Sequence, residues 1–241
     1  MRKFFLIQAI IITLGMVLLL LVRNNVYDFG LVVTGDETAV ASLPAKMNMV
    51  YVYQEYEDAS NVPTAEEQRA SFQEVCDRSG YEGIVVLAES KGDNRYASGS
   101  TVYPMEIKQV LEGDTALEGK NIELLHDDYR LKMMAWFDDR VRLAKLWFRG
   151  EVNYLKKGRT YLIAISVHPM PGDQVTLYQM ADFCYDLQNT ENRLIDHPNY
   201  VYSDVSDNEV FYRKQEMVDA YYEAKQDMFD YYGISPEDWL P

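Results

Sequence analysis

The sequence predicts an α+β fold. Three observations carry it: strand-type segments closed by turn residues between Gly83 and Tyr178, a capped helical pattern ahead of them, and a long amphipathic pattern behind them. One further segment stands apart. The first 22 of the 241 residues read MRKFFLIQAIIITLGMVLLLLV and are too uniformly apolar for a soluble core.

Phe4 to Val22 is interrupted only by Gln8, Thr13 and Gly15. As a helix it reaches roughly 28 Å, about one hydrocarbon core. No small-x-small site follows closely: Leu21-Val22-Arg23-Asn24-Asn25 has none, and Ala39-Val40-Ala41 lies far downstream. Arg2 and Lys3 precede the span and Arg23 alone follows it, so the positive-inside bias leaves the N-terminus cytoplasmic and the remainder outside. Residues 1–23 are therefore expected to be a cytoplasmic tip and an uncleaved signal-anchor, giving a single-pass cell-membrane protein held through residues 4–22. Residues 24–46 are rich in turn formers (Asn24, Asn25, Gly30, Gly35, Asp36, Pro44) and read as a linker that ends in an added strand at Leu31-Val32-Val33.

From Met47 the pattern Met-Asn-Met-Val-Tyr-Val-Tyr is β-rich and leads to an acidic loop at Glu57 and Asp58. Thr64-Ala-Glu-Glu67 is a capping box, so a helix of about 14 residues follows, burying Phe72, Val75 and Cys76 and stopping before Gly80. Gly83 to Ser90 is a buried strand, turned by Lys91-Gly92-Asp93-Asn94. Thr101 to Leu111 alternates, with Tyr103, Met105, Ile107 and Leu111 on one face. Pro104 cannot donate to a ladder, which places an edge or bulge there. Short strands at 120–125 and 159–166 follow, with a further one from Val175 to Tyr178.

The order of helix, YEGIVVLA (81–88), VYPMEIKQVLEGD (102–114), GKNIEL (119–124) and LKKGRTYLI (155–163) resembles bacterial cell-surface proteins with a netrin-like OB barrel, the fold of tissue inhibitors of metalloproteinases. The resemblance covers about 100 residues and implies an OB-like antiparallel barrel over 47–186 with its preceding helix. Those inhibitors work through an N-terminal cysteine that chelates the protease zinc, and this chain has no match for it. The stretch 126–151 departs from the pattern and reads as an insertion. Loops on a rigid barrel commonly carry binding surfaces, although such an insertion can equally be an amphipathic cover for a barrel end.

Residues 187–241 are expected to be a connecting segment and a long C-terminal helix, N-capped by Asp207 and stopped at Gly233. Val210, Met217, Tyr221, Ala224, Met228 and Tyr231 form its packing stripe, with Phe211, Val218, Tyr222, Phe229 and Tyr232 widening it. If the stripe covers the barrel, its edge residues Phe211, Tyr222 and Phe229 join Trp136 and Trp147 of the insertion as candidate binding residues.

The whole chain carries 38 acidic against 23 basic residues, and without Arg2, Lys3 and Arg23 the balance is 38 against 20, or −18. That argues against nucleic acid, whose affinity comes from cations on phosphates. With 48% hydrophobic residues the chain can bury a core. His126, His168 and His197 are widely spaced and fit no metal-ligand pattern, and no cofactor is implied. Nucleophile-elbow, phosphate-loop and dinucleotide glycine motifs are lacking. Asp127-Asp128 and Asp138-Asp139 read as solvated loop acids, and Asp204 to Glu209 as a helix cap in preference to a calcium loop. Cys76 and Cys184 leave two readings open, a disulfide tying the first helix to the segment after the last strand or two buried thiols. The sequence thus points to a non-enzymatic, membrane-anchored extracytoplasmic module with a protein partner. A hydrolase of unrecognised family, or an inhibitor-like domain by fold analogy, is the alternative.

Overall fold

The computed structural model describes residues 32–33, 49–52, 59–92, 94–97, 100–127, 131–132, 145–148, 153–169, 176–195, 199–201 and 204–239. The chain divides into residues 1–32, of which Val32 alone is described, and residues 33–241. The expected span at 4–22 and the Ala39-Val40-Ala41 site lie outside the described residues. Among the described residues no helix is long and apolar enough to cross a membrane.

Thr64 opens the first helix, α1 (Ala65–Ser79). Its hydroxyl accepts from the Glu67 amide while the Glu67 carboxylate accepts from the Thr64 amide, the reciprocal pair that a spacing of three positions allows. Gly80 ends α1 in the left-handed region at φ 70°, and its N–H donates to the Cys76 carbonyl.

The strands are β1 (Val32–Val33), β2 (Met49–Val52), β3 (Glu82–Ser90), β4 (Asn94–Ala97), β5 (Ser100–Glu112), β6 (Asn121–Asp127), β7 (Leu131–Lys132), β8 (Lys145–Phe148), β9 (Thr160–Pro169), β10 (Thr176–Asp186) and β11 (Asn199–Val201). Five of them close a barrel in the order β5-β3-β9-β10-β6 and back to β5. Four ladders are antiparallel, but β10 and β6 run parallel, with Tyr178 opposite Leu124. The barrel is therefore mixed and not the wholly antiparallel one expected. The reason is parity: strand direction cannot alternate all the way round a closed ring of five.

Closure also bends β5. It pairs with β3 from Met105 to Glu112 and with β6 from Ser100 to Glu106, and two register shifts on the β3 side give it the extra residues a turning strand needs. Pro104 sits at the handover. Its carbonyl accepts from the Lys91 amide just where β3 has ended at Ser90, so its missing donor faces no ladder. β10 extends from Thr176 to Asp186, well beyond the short strand expected from Val175.

Side-chain alternation splits the barrel strands into two faces. Ile84, Val86, Met105, Ile107, Leu124, Ile163 and Ile165 are fully buried and fill the interior. Val85, Leu87, Leu162, Ala164, Phe183 and Tyr185 point outward into a second core shared with Phe72 and Cys76 of α1 and with the second helix, α2 (Gln215–Tyr232). Tyr185 ties strand to helix directly, its hydroxyl donating to Gln68 Oε1 at 2.6 Å. Cys76 belongs to that outer core, whereas Cys184 alternates with Phe183 and Tyr185 and stands opposite Ile163, on the interior side. Both cysteines are buried thiols in this structure, on opposite faces of the sheet.

The second helix begins at Gln215, seven residues later than expected, and Lys214 is its cap residue, with no side-chain cap bond. Asp207 is not an N-cap; it pairs with Lys156 Nζ at 2.5 Å. Val210, Phe211 and Tyr212 are buried in succession, which one face of a helix cannot do. The segment is held open instead, by Asn153 N–H donating to the Glu209 carbonyl and Ile195 N–H to that of Tyr212.

Candidate functional site

A second sheet is built from segments far apart in sequence, in the order β11-β2-β8-β7. The linker side contributes β2, the insertion β7 and β8, and the connector β11. Its register sets Asn199, Tyr51 and Trp147 in one cross-strand row and Tyr200, Val50, Leu146 and Leu131 in the next. Trp147 and Tyr51 are thus direct cross-strand partners in the register of β8 on β2.

Of the four candidate binding residues that fall among the described residues, Trp147 alone lies on this sheet. Trp136 lies outside the described residues, as do Asp128, Asp138, Asp139 and His197. Phe211 and Phe229 are corrected to core residues, 0% and 2% exposed. Phe211 is buried because the chain there is extended and not helical; Phe229 packs edge-on to Tyr185 of the barrel. Tyr222 is half-buried, with its hydroxyl on the Asn189 side chain at 3.3 Å.

That tyrosine borders a polar cluster for which the sequence gives no motif. Glu209 Oε2 accepts from Lys225 Nζ at 2.7 Å, and Oε1 from the Asp186 amide at 2.7 Å and from the Tyr221 hydroxyl at 2.9 Å. Both charged side chains are closed off from water, at 5% exposure for Lys225 and 1% for Glu209. Lys225 Nζ also donates to the main-chain carbonyl of Asn189 at 2.8 Å and lies 5.3 Å from the Tyr222 ring centre. The Asn189 side-chain oxygen accepts from the Glu191 amide at 3.0 Å as well as from Tyr222, and its Nδ2 donates to the Asp207 carbonyl at 2.8 Å. Burial pushes the Glu209 carboxyl up to about 7, against the pull of the Lys225 ammonium. Next to it, Arg159 pairs with Asp186 at 2.8 Å.

Asparagines hold the cluster's frame. Asn153 Nδ2 donates to the carbonyls of Ser206 and Asn208, while Asn192 Oδ1 accepts from the amides of Glu209 and Val210. Asn208 exchanges two bonds with the backbone of Arg193. Four asparagines among turn residues were the one available signal; their partners lie too far along the chain for spacing to reveal them.

No protein-family model matches the chain, and no curated protein is similar to it.

Ser166 Oγ lies 2.9 Å from His168 Nε2, the one contact of nucleophile-and-base type the structure places on β9. The Tyr81 ring lies against the imidazole at a 45° tilt, ring centres 3.9 Å apart, and burial holds the His168 pKa below its ordinary value. Ser166 itself is 6% exposed, so an acyl carbon has no open approach to Oγ. Glu89, Lys91, Glu106 and Lys108 form a square of alternating charges across β3 and β5. With both signs balanced, that square carries no net charge to attract a charged ligand over distance. Among the described residues no three His, Cys, Asp or Glu side chains are placed to hold a metal ion.

Proposed function

We propose that this chain is a membrane-anchored extracytoplasmic binding or assembly module without catalytic activity, built on an OB-like barrel of the netrin-like kind. The strand order β5-β3-β9-β10-β6 with its single parallel ladder supports the OB-like reading, as do one helix before the first barrel strand and one after the last, both packed on the same flank. The apolar span at 4–22 and the excess of basic residues ahead of it support the anchor and its orientation.

One observation carries the binding reading: the insertion between β6 and β9 joins a second sheet outside the barrel, in a register that pairs Trp147 with Tyr51. The barrel interior is filled by its own side chains and one flank is covered by helices, so contacts fall to what is added outside the barrel. Aromatic residues on such an added surface are the common anchors of protein partners.

The test is a photo-crosslinking residue placed at Trp147 in the intact anchored chain, with the exposed α1 position Glu74 as control. A discrete extracytoplasmic adduct from position 147 and none from position 74 is the expected result. Equal labelling from both positions, or none from either, overturns the reading. A reporter fused after Pro241 checks the topology: it should be accessible from outside and remain membrane-bound after a carbonate wash.

A further inference from the structure

The cluster around Glu209 brings together a buried amine, a buried carboxamide and a carboxyl group in contact with the amine, which is more than an ion pair needs. A salt bridge is complete with Lys225 and Glu209; the Asn189 side chain adds nothing to it. Yet that side chain is held with its oxygen on two donors, the Glu191 N–H at 3.0 Å and the Tyr222 O–H at 3.3 Å. Two donors aimed at one carbonyl oxygen stabilise the negative charge that develops there when a nucleophile adds to its carbon. The amine of Lys225 sits against the same residue, donating to its main-chain carbonyl at 2.8 Å.

We propose that Lys225 and Asn189 become joined by an intramolecular amide bond, formed by the folded chain itself with Glu209 as the proton carrier. Glu209 Oε2, 2.7 Å from Nζ, takes a proton from the Lys225 ammonium. The freed lone pair attacks Asn189 Cγ after a turn of the last bonds of the lysine side chain, and the Glu191 and Tyr222 donors hold the charge on Oδ1. A second proton, relayed from the attacking nitrogen through Glu209, goes to Nδ2. The Cγ–Nδ2 bond breaks and ammonia leaves, carrying away as ammonium the proton that Lys225 first gave up. Amine and carboxamide become secondary amide and ammonia, and no electron is transferred.

Three features of the environment favour this over a static salt bridge. Burial raises the carboxyl of Glu209 to about 7, which suits it to take up and pass on a proton near physiological pH. The rings of Tyr222 and Phe229, 5.3 and 5.7 Å from Nζ, keep water from the amine and from the bond once formed. The fold also supplies the proximity, because the two residues are 36 positions apart and meet only when α2 has docked on the barrel. The bond would fasten α2 covalently to the connector that leaves β10.

The test is the intact mass of the purified full chain in denaturant, followed by fragmentation of its protease digest. Wild type is expected one ammonia lighter than its sequence, with a branched peptide joining the Asn189 and Lys225 segments. Glu209→Gln, which keeps the shape of the side chain, should stay at its full sequence mass and give no branched peptide. Wild type at full mass overturns the proposal, and that measurement does not depend on any variant folding. Loss of ammonia without a branched peptide overturns it too, as does loss of water with the branch at Glu209.

Discussion

Gly113 follows β5 at φ 103°, where a side chain is strained, and a Cβ built there runs into Ile84, a residue with no exposed surface. Gly113→Ala therefore combines backbone strain with overpacking of the barrel interior, and should cost about 2 to 4 kcal/mol in urea unfolding. Gly119, also at positive φ, has open space around its Cβ position, so Gly119→Ala carries the backbone part alone and should cost less. His168 sets a pH dependence. Its pKa in the fold lies below the ordinary value of 6.5, so between those values the unfolded chain binds the extra proton. Stability then falls as pH drops through 6.5 and is recovered above it. His168→Gln should flatten that slope, measured as the unfolding midpoint against pH. At this scale the sequence is legible where a residue acts on near neighbours, as Thr64 does on Glu67. It is silent where one asparagine serves carbonyls 52 to 55 positions away, as Asn153 does.

The two helices show why one element was readable in detail and the other only in part. α1 is fixed by a capping box and a left-handed glycine, both local signals, and it runs from Ala65 to Ser79 between them. Thr64→Ala removes the hydroxyl that satisfies the Glu67 amide and should lower stability by about 1 kcal/mol. α2 has a local stop at Gly233, but Asp207 offered a start that tertiary structure overrides. Asp207 is taken by Lys156 and Glu209 by Lys225, leaving Lys214 at the helix entrance. A cation there opposes the positive end of the helix and supplies no acceptor. Lys214→Asp should correct both faults and raise the unfolding midpoint, with a gain of about 0.5 to 1 kcal/mol. No gain would mean that the extended run 210–212, and not the cap, fixes where α2 begins.

The periodicity of 83–90, 101–111, 120–125 and 159–166 was enough to place four of the barrel strands, but no pattern in the sequence says that the ring has five members and so must hold one parallel pair. The register of β6 against β10 is decided by closure, a property of the whole molecule. Closure also gives β3 and β9 a neighbour on each side and a covered face above and below. Ile84, Val86, Ile163 and Ile165 fill the interior while Val85, Leu87, Leu162 and Ala164 meet the helices. Amides of these two strands should therefore exchange with solvent only through global unfolding. Ile107 reports on that unit from a third strand, because it lies wholly in the interior opposite Ala88. Ile107→Ala should cost about 2 to 5 kcal/mol. If the barrel and its helical flank open together, exchange at Val85 and Leu162 should quicken by about 30-fold to about 4000-fold, and α2 amides such as those of Tyr221 and Met228 should quicken by the same factor. A smaller response in α2 would show the helix leaving its flank before the barrel opens. An amide bond between Lys225 and Asn189 would bind the two transitions together, so Glu209→Gln is the background in which that separation should first be visible.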